Sequence, residues 1–168
     1  TACGICAWDV NTFRSGTAVG VPAPPGHEGV GYIDRLGAGV QGWQVGDRVC
    51  GGGFAGLENL SASSLYRLPA SSIPDEQWMV EPVSCIVTGI DHCQLRIGDR
   101  VAVVGAGFMG LMIIQGLAQS FADRLLVFDV VPERLDLAKD YGADQVVNAA
   151  APDADEQVAA ASALTIDT

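Results

Sequence analysis

In the second half of the chain the apolar positions follow a repeating rhythm. A β-branched run at residues 101–104, V-A-V-V, enters a glycine turn, and apolar residues at helical spacing follow through about residue 120. An unbroken apolar run reads as a strand covered on both faces, and the return to 3.6-residue spacing reads as the helix that covers it. The alternation recurs. R-L-L-V-F-D at 124–129 predicts a second strand, residues from 132 onward predict a helix with Leu135, Ala138 and Tyr141 facing inward, and Q-V-V-N at 145–148 predicts a third strand. Pro132 suits the first turn of that helix and Gly142 its C-cap. Strand, turn and helix in this order predict an α/β unit with a parallel sheet.

Before about Leu68 the pattern differs. Gly and Pro are frequent, and short strand-like runs such as residues 30–36 and 48–50 lie between glycine turns, which predicts an irregular β domain. Residues 74–92 read as a helical connector, with Trp78, Met79, Val83, Ile86, Val87 and Ile90 at roughly helical spacing. The expected organisation is a β domain over 1–72, a connecting helix over 73–95 and an α/β domain over 96–168, whose tail from 149 has room for one more helix. The phrase V-G-D-R-V occurs at 45–49 and again at 97–101 as I-G-D-R-V. It reads as one turn solution feeding two different strands.

Composition narrows the function classes. The chain has 168 residues, is 49% hydrophobic and carries a formal net charge of −11. That charge opposes contact with a phosphate backbone, and no Lys/Arg cluster offsets it, so nucleic acid is not expected as a partner. No apolar run approaches the roughly 20 residues that cross a bilayer, and no signal-peptide pattern is present, so a membrane partner is not expected and a cytoplasmic location is. The five cysteines, Cys3, Cys6, Cys50, Cys85 and Cys93, are odd in number and irregularly spaced. A disulfide framework does not fit them.

Two motifs carry chemistry. The turn after the first α/β strand is G-A-G-F-M-G, with Gly105, Gly107, Phe108, Met109 and Gly110. Between a strand and a helix this is a dinucleotide-binding fingerprint: Gly105 makes the turn, Gly107 admits a pyrophosphate against the backbone, and Gly110 lets the helix pack closely. Asp129 ends the second strand 19 positions after Gly110. There a carboxylate accepts from ribose hydroxyls and repels a 2′-phosphate, which favours NAD over NADP. The second motif is C-G-I-C-A-W-D at 3–9, two thiols and a carboxylate in one turn-rich stretch. On its own, Cys-x-x-Cys is a redox pair, half a zinc site, or two small apolar side chains.

Taken with G-H-E-G-V-G at 26–31, V-G-D-R-V at 45–49, E-P-V at 81–83 and G-A-G-F-M-G, the opening motif resembles the medium-chain dehydrogenase/reductase family, in its zinc-dependent alcohol and polyol dehydrogenase branch. The resemblance implies a partial GroES-like β domain joined to a partial Rossmann-type doubly wound parallel sheet. It implies that Cys6 and His27 bind one catalytic zinc, with Glu28 as an adjacent or alternating ligand and Asp9 as the carboxylate that orients the histidine. The polyol and threonine dehydrogenases of the branch place a further glutamate in an E-P element, here Glu81. Read alone, Glu81 is equally an acid at a helix N-terminus. The resemblance also implies NAD as cofactor, a small alcohol or carbonyl substrate, and a homo-oligomeric parent enzyme. Thiolate, imidazole and carboxylate are a donor set that borderline-soft zinc accepts.

The departures are as informative. Many family members carry a Ser or Thr two residues after the zinc cysteine as the start of a proton relay; this chain has Trp8, and Asn11 stands where the relay's histidine often lies. The four-cysteine structural zinc lobe has no counterpart between Cys50 and Cys85, so one metal site is expected. Strands that the family has before the opening motif and after the third α/β strand have no counterpart, and the sequence reads as a fragment. Two alternatives stay open: a zinc- and dinucleotide-binding module without turnover, and the zinc-free quinone or enoyl reductase branch, which would leave Cys6, His27 and Glu28 unexplained.

Overall fold

The computed structural model describes residues 1–16, 25–78 and 80–162. The chain divides into two compact units, Thr1–Pro82 and Val83–Thr168.

The first unit is an antiparallel sheet of four short strands, β1 (Ala2–Gly4), β2 (Glu28–Tyr32), β3 (Arg48–Cys50) and β4 (Tyr66–Arg67), in sequential order. Its core is small: Val30, Cys50 and Leu68 are buried, and Trp78 and Val80 pack against them. Two features differ from expectation. The turn-rich opening stretch contains a helix, α1 (Ala7–Ser15), because Asp9 caps its first turn and Gly16 closes it in the left-handed region at φ 65°. The strand expected over 30–36 ends at Tyr32, beyond which single hydrogen bonds, Ile33 N to Asp47 O and Gly46 N to Ile33 O, lead into the turn.

The second unit is a parallel sheet of β5 (Arg100–Val104), β6 (Arg124–Asp129) and β7 (Gln145–Asn148), in that order. The strands are joined by α3 (Phe108–Leu117) and α4 (Pro132–Asp140), and α5 (Ala154–Ser162) follows. Ala106, Ile114, Val127, Ala138 and Val147 are fully buried. The expected inward face of α4 holds at Leu135 and Ala138, while Tyr141, the C-cap residue, is 40% exposed. A helix α2 (Val80–His92) carries the boundary between the units. Within it Ile86 is buried, Val83 and Val87 are exposed, and His92 lies exposed at the end; Met79 falls outside the described residues.

The repeated phrase is one turn used twice. Asp47 Oδ2 accepts from Gln44 N and Asp99 Oδ2 from Arg96 N, at 3.0 and 2.7 Å, ahead of β3 and β5 respectively. Gly46 and Gly98 sit at φ 90° and 86°, where a Cβ is penalised. No helix among the described residues is long and apolar enough to cross a membrane.

Candidate metal and dinucleotide sites

The first site is built from the ends of α1 and β2. Cys6 is the cap residue of α1 in extended conformation, and Asp9 Oδ2 accepts from its backbone N at 2.9 Å. The other oxygen, Oδ1, lies 3.4 Å from His27 Nδ1 and is otherwise buried without a hydrogen-bond partner. One carboxylate thus fixes the backbone of Cys6 and faces the ring of His27. A histidine whose Nδ1 meets a carboxylate keeps Nε2 for a ligand.

Cys6, His27 and Glu28 each offer a ligand atom, and these atoms lie within 4.8 Å of one another. Four donors around zinc at bonds of about 2.0–2.3 Å stand about 3.3–3.8 Å apart, so the trio needs shifts on the order of 1 Å to close on an ion. Partial burial pushes the Glu28 carboxyl above its ordinary pKa; the Glu81 carboxylate and then Asp9 add to this, while His27 opposes it. Glu81 is therefore near enough to act on Glu28, though it is not among the gathered donors. Burial pushes the Cys3 thiol up as well, which disfavours the thiolate that a redox pair with Cys6 needs.

Two neighbours complete the surroundings. The Trp8 ring meets His27 edge to face, with centroids 5.7 Å apart and planes at 83°. Asn11 is exposed on α1. Behind His27 and Glu28 runs the loop at 51–54: Gly29 N donates to Gly52 O, Gly51 N to Gly29 O and Phe54 N to Pro25 O. A Cβ at Gly53 would lie 2.4 Å from Pro25 O. This backbone-to-backbone packing holds the H-E segment, and its only signal in the sequence is G-G-G at 51–53.

The second site lies at the carboxyl ends of β5 and β6. Gly105, at φ 97°, donates its N–H to Phe128 O, and Gly107 caps α3. A Cβ at Gly107 would meet nothing within 4 Å, whereas one at Gly110 would lie 1.9 Å from Gly105 O. Backbone at Gly107 is thus open to a ligand, and Gly110 is where the helix meets the turn. Phe108 and Met109 are partly exposed in the first turn of α3, at 53% and 41%. Asp129 is 8% exposed, and three backbone N–H groups already donate to it: Ala106 to Oδ2 at 2.6 Å, and Val130 and Val131 to Oδ1 at 2.8 and 2.9 Å. The N–H of Val131, followed by those of Ala106 and Val130, holds its pKa below the usual range against the opposing effect of burial, and Arg134 assists. Oδ2 keeps one acceptor direction, with Arg134 Nη1 3.8 Å away.

Residues 1–70 match the alcohol dehydrogenase GroES-like domain. An alcohol dehydrogenase of Rhizobium meliloti (strain 1021) is 32% identical over 94% of this chain and 56% of its own length. A sorbitol dehydrogenase of Bombyx mori is 26% identical over 92% of this chain and 55% of its own. Among solved structures, a short chain alcohol dehydrogenase from E. coli CFT073 complexed with NADH superposes with a TM-score of 0.78 at 28% identity, covering 95% of this chain and 56% of that one. The chain is similar along almost its whole length to members of the medium-chain dehydrogenase/reductase family. Within it, the relatives above are alcohol and polyol dehydrogenases, and the chain spans about half their length. The mixed α/β architecture, a GroES-like antiparallel sheet and a Rossmann-like parallel sheet, is that of medium-chain dehydrogenases.

Of the family residues expected from sequence, the structure gathers Cys6, Asp9, His27 and Glu28 at one place and the 105–110 turn with Asp129 at another. The supporting loop at 51–54 and the helix that Cys6 caps were not foreseen.

Proposed function

We propose that this chain carries the zinc and NAD sites of an oxidoreductase that moves a hydride between an alcohol or polyol and NAD. The observation that carries the proposal is the gathering of Cys6, His27 and Glu28 within 4.8 Å, with the orphaned oxygen of Asp9 behind the histidine. Thiol, imidazole and carboxylate in that arrangement fit one catalytic zinc, with Glu81 as a further candidate ligand. The domain limits proposed for this enzyme are 1–72 for the β domain, 73–95 for the connector and 96–168 for the NAD domain.

Zinc, when bound, supplies a Lewis acid that polarises an alcohol or carbonyl oxygen, and NAD supplies the hydride acceptor. Asp9 fixes the Cys6 backbone through Oδ2 and sets Oδ1 3.4 Å from His27 Nδ1, where it favours the tautomer that leaves Nε2 free for a ligand. Glu28 is a candidate to take up a proton, because the indole of Trp8, at the position where the relay hydroxyl is expected, only donates, and Asn11 lies exposed on α1. In the second unit the open backbone at Gly107 and the N-terminus of α3 receive a pyrophosphate. The spare acceptor direction of Asp129 Oδ2 takes a ribose hydroxyl, and the buried negative charge disfavours a 2′-phosphate.

A second reading, a binding module without turnover, draws on Trp8 at the relay position. The zinc-free quinone and enoyl reductase branch leaves the gathered donors without a role. Zinc-loaded protein incubated with NAD and a panel of alcohols and polyols, followed by NADH absorbance, separates the readings. NADH formation with one substrate class is expected. Bound zinc without turnover on any substrate supports the module, and failure to retain zinc and NAD overturns both.

A further inference from the structure

The donor trio depends on a neighbour that has no side chain. Gly4, the last residue of β1, is the register partner of Glu28, the first residue of β2. Directly opposed residues of an antiparallel pair compete for the same space above the sheet. A Cβ at Gly4 would lie 1.9 Å from Glu28 Oε2, 3.1 Å from its Cδ and 3.2 Å from its Cβ. All three close atoms belong to Glu28. Its side chain is therefore folded across the Gly4 α-carbon, on the strand that leads two residues later to Cys6.

We infer that Gly4 is a positioning residue for the metal site, its missing side chain being the slot through which the Glu28 carboxylate reaches Cys6 and His27. The inference rests on the proposed metal reading and deepens it. A methyl group at position 4 would take the place of Oε2, and Glu28 would have to turn to another staggered rotamer. The atom displaced most is the far end of a flexible chain, so the variant folds. What it loses is the carboxylate at the site.

Two measurements test this. In metal titrations of the full chain with Co(II) and Zn(II), Gly4→Ala is expected to weaken affinity about 10–100-fold, a typical cost of disturbing a group that orients a ligand. Glu28→Gln should show a loss of its own, and adding Gly4→Ala to it should cost nothing more, since both act through one carboxylate. Affinity of Gly4→Ala equal to the unmodified chain, or losses that add in the double variant, overturns the inference while leaving the metal site standing. An unmodified chain that binds neither ion overturns the metal reading and this inference with it. The second measurement is free of metal: Gly4→Ala should lower the melting temperature in the unmodified chain but not in a Glu28→Gly background, where the three nearest atoms are gone. An equal drop in both backgrounds would show that the methyl meets something other than Glu28, and the inference fails.

Discussion

Replacing Asp129 by Asn keeps the shape of the side chain and removes its charge. In the native protein both oxygens are engaged, Oδ2 by Ala106 N and Oδ1 by Val130 N and Val131 N. The amide of Asn best keeps its oxygen on the Val130 and Val131 side, which leaves its NH2 facing the N–H of Ala106. Ala106 is 0% exposed, so that donor loses its partner where water cannot replace it. An unpaired buried donor costs about 1–3 kcal/mol, and two bonds that lose charge assistance add about another 1 kcal/mol. The total of about 2–4 kcal/mol corresponds to a fall of about 10–20 °C in the melting temperature of a unit this size.

The same substitution has a pH signature. Because the folded protein holds the Asp129 pKa below its ordinary value, the charge contributes stability that is complete above the unfolded pKa and is lost as pH falls through the folded one. The gap between native protein and Asp129→Asn should thus be full at neutral pH and narrow below about pH 4, the ordinary carboxylate range. Thermal melts followed by circular dichroism across that range read both effects. Equal melting temperatures at neutral pH, or a gap that persists undiminished in acid, would refute the assignment of these bonds.

Other consequences follow for the two sites. Gly110→Ala puts a methyl 1.9 Å from the backbone oxygen of Gly105; the expected cost is about 1–3 kcal/mol with loss of NAD binding, and an unchanged melting temperature and calorimetric affinity would contradict the packing argument. NAD should bind more tightly than NADP, with Asp129→Ala narrowing the difference, and equal binding by the unmodified protein would count against the carboxylate's role. Trp8→Thr removes the ring that edges His27 and installs a hydroxyl, so the pH profile of kcat/KM should shift and bulkier alcohols should be accepted. Superimposable profiles and an unchanged substrate range would mean that Trp8 points away from the reacting groups and that the relay argument fails.

The parallel-sheet unit was the more legible of the two in the sequence, and the reason is physical. Buried parallel strands need continuous apolar runs, and the turn at 105–110 needs glycines at fixed offsets, so composition and spacing both report the structure. The helix α1 left a weaker trace, because its capping acid, Asp9, sits among residues that also suit a turn. Tyr141 matched the periodicity of α4, yet it ends the helix and stays 40% exposed. At the candidate metal site the ligand types were visible in C-G-I-C-A-W-D and G-H-E-G. Their support was not, because residues 51–54 pack backbone against backbone on Pro25, and Glu28 packs its side chain across the Gly4 backbone, between segments distant in sequence. Such contacts leave only glycines behind, and glycine has many other uses.

Zinc stoichiometry tests the central claim most directly. Elemental analysis of the protein after dialysis against limiting zinc should give one ion per chain, falling to a small fraction in both Cys6→Ala and His27→Ala, since two remaining ligands hold the ion poorly. Full zinc content in both variants, or none in the unmodified chain, would contradict the assignment of Cys6, His27 and Glu28 as the metal centre.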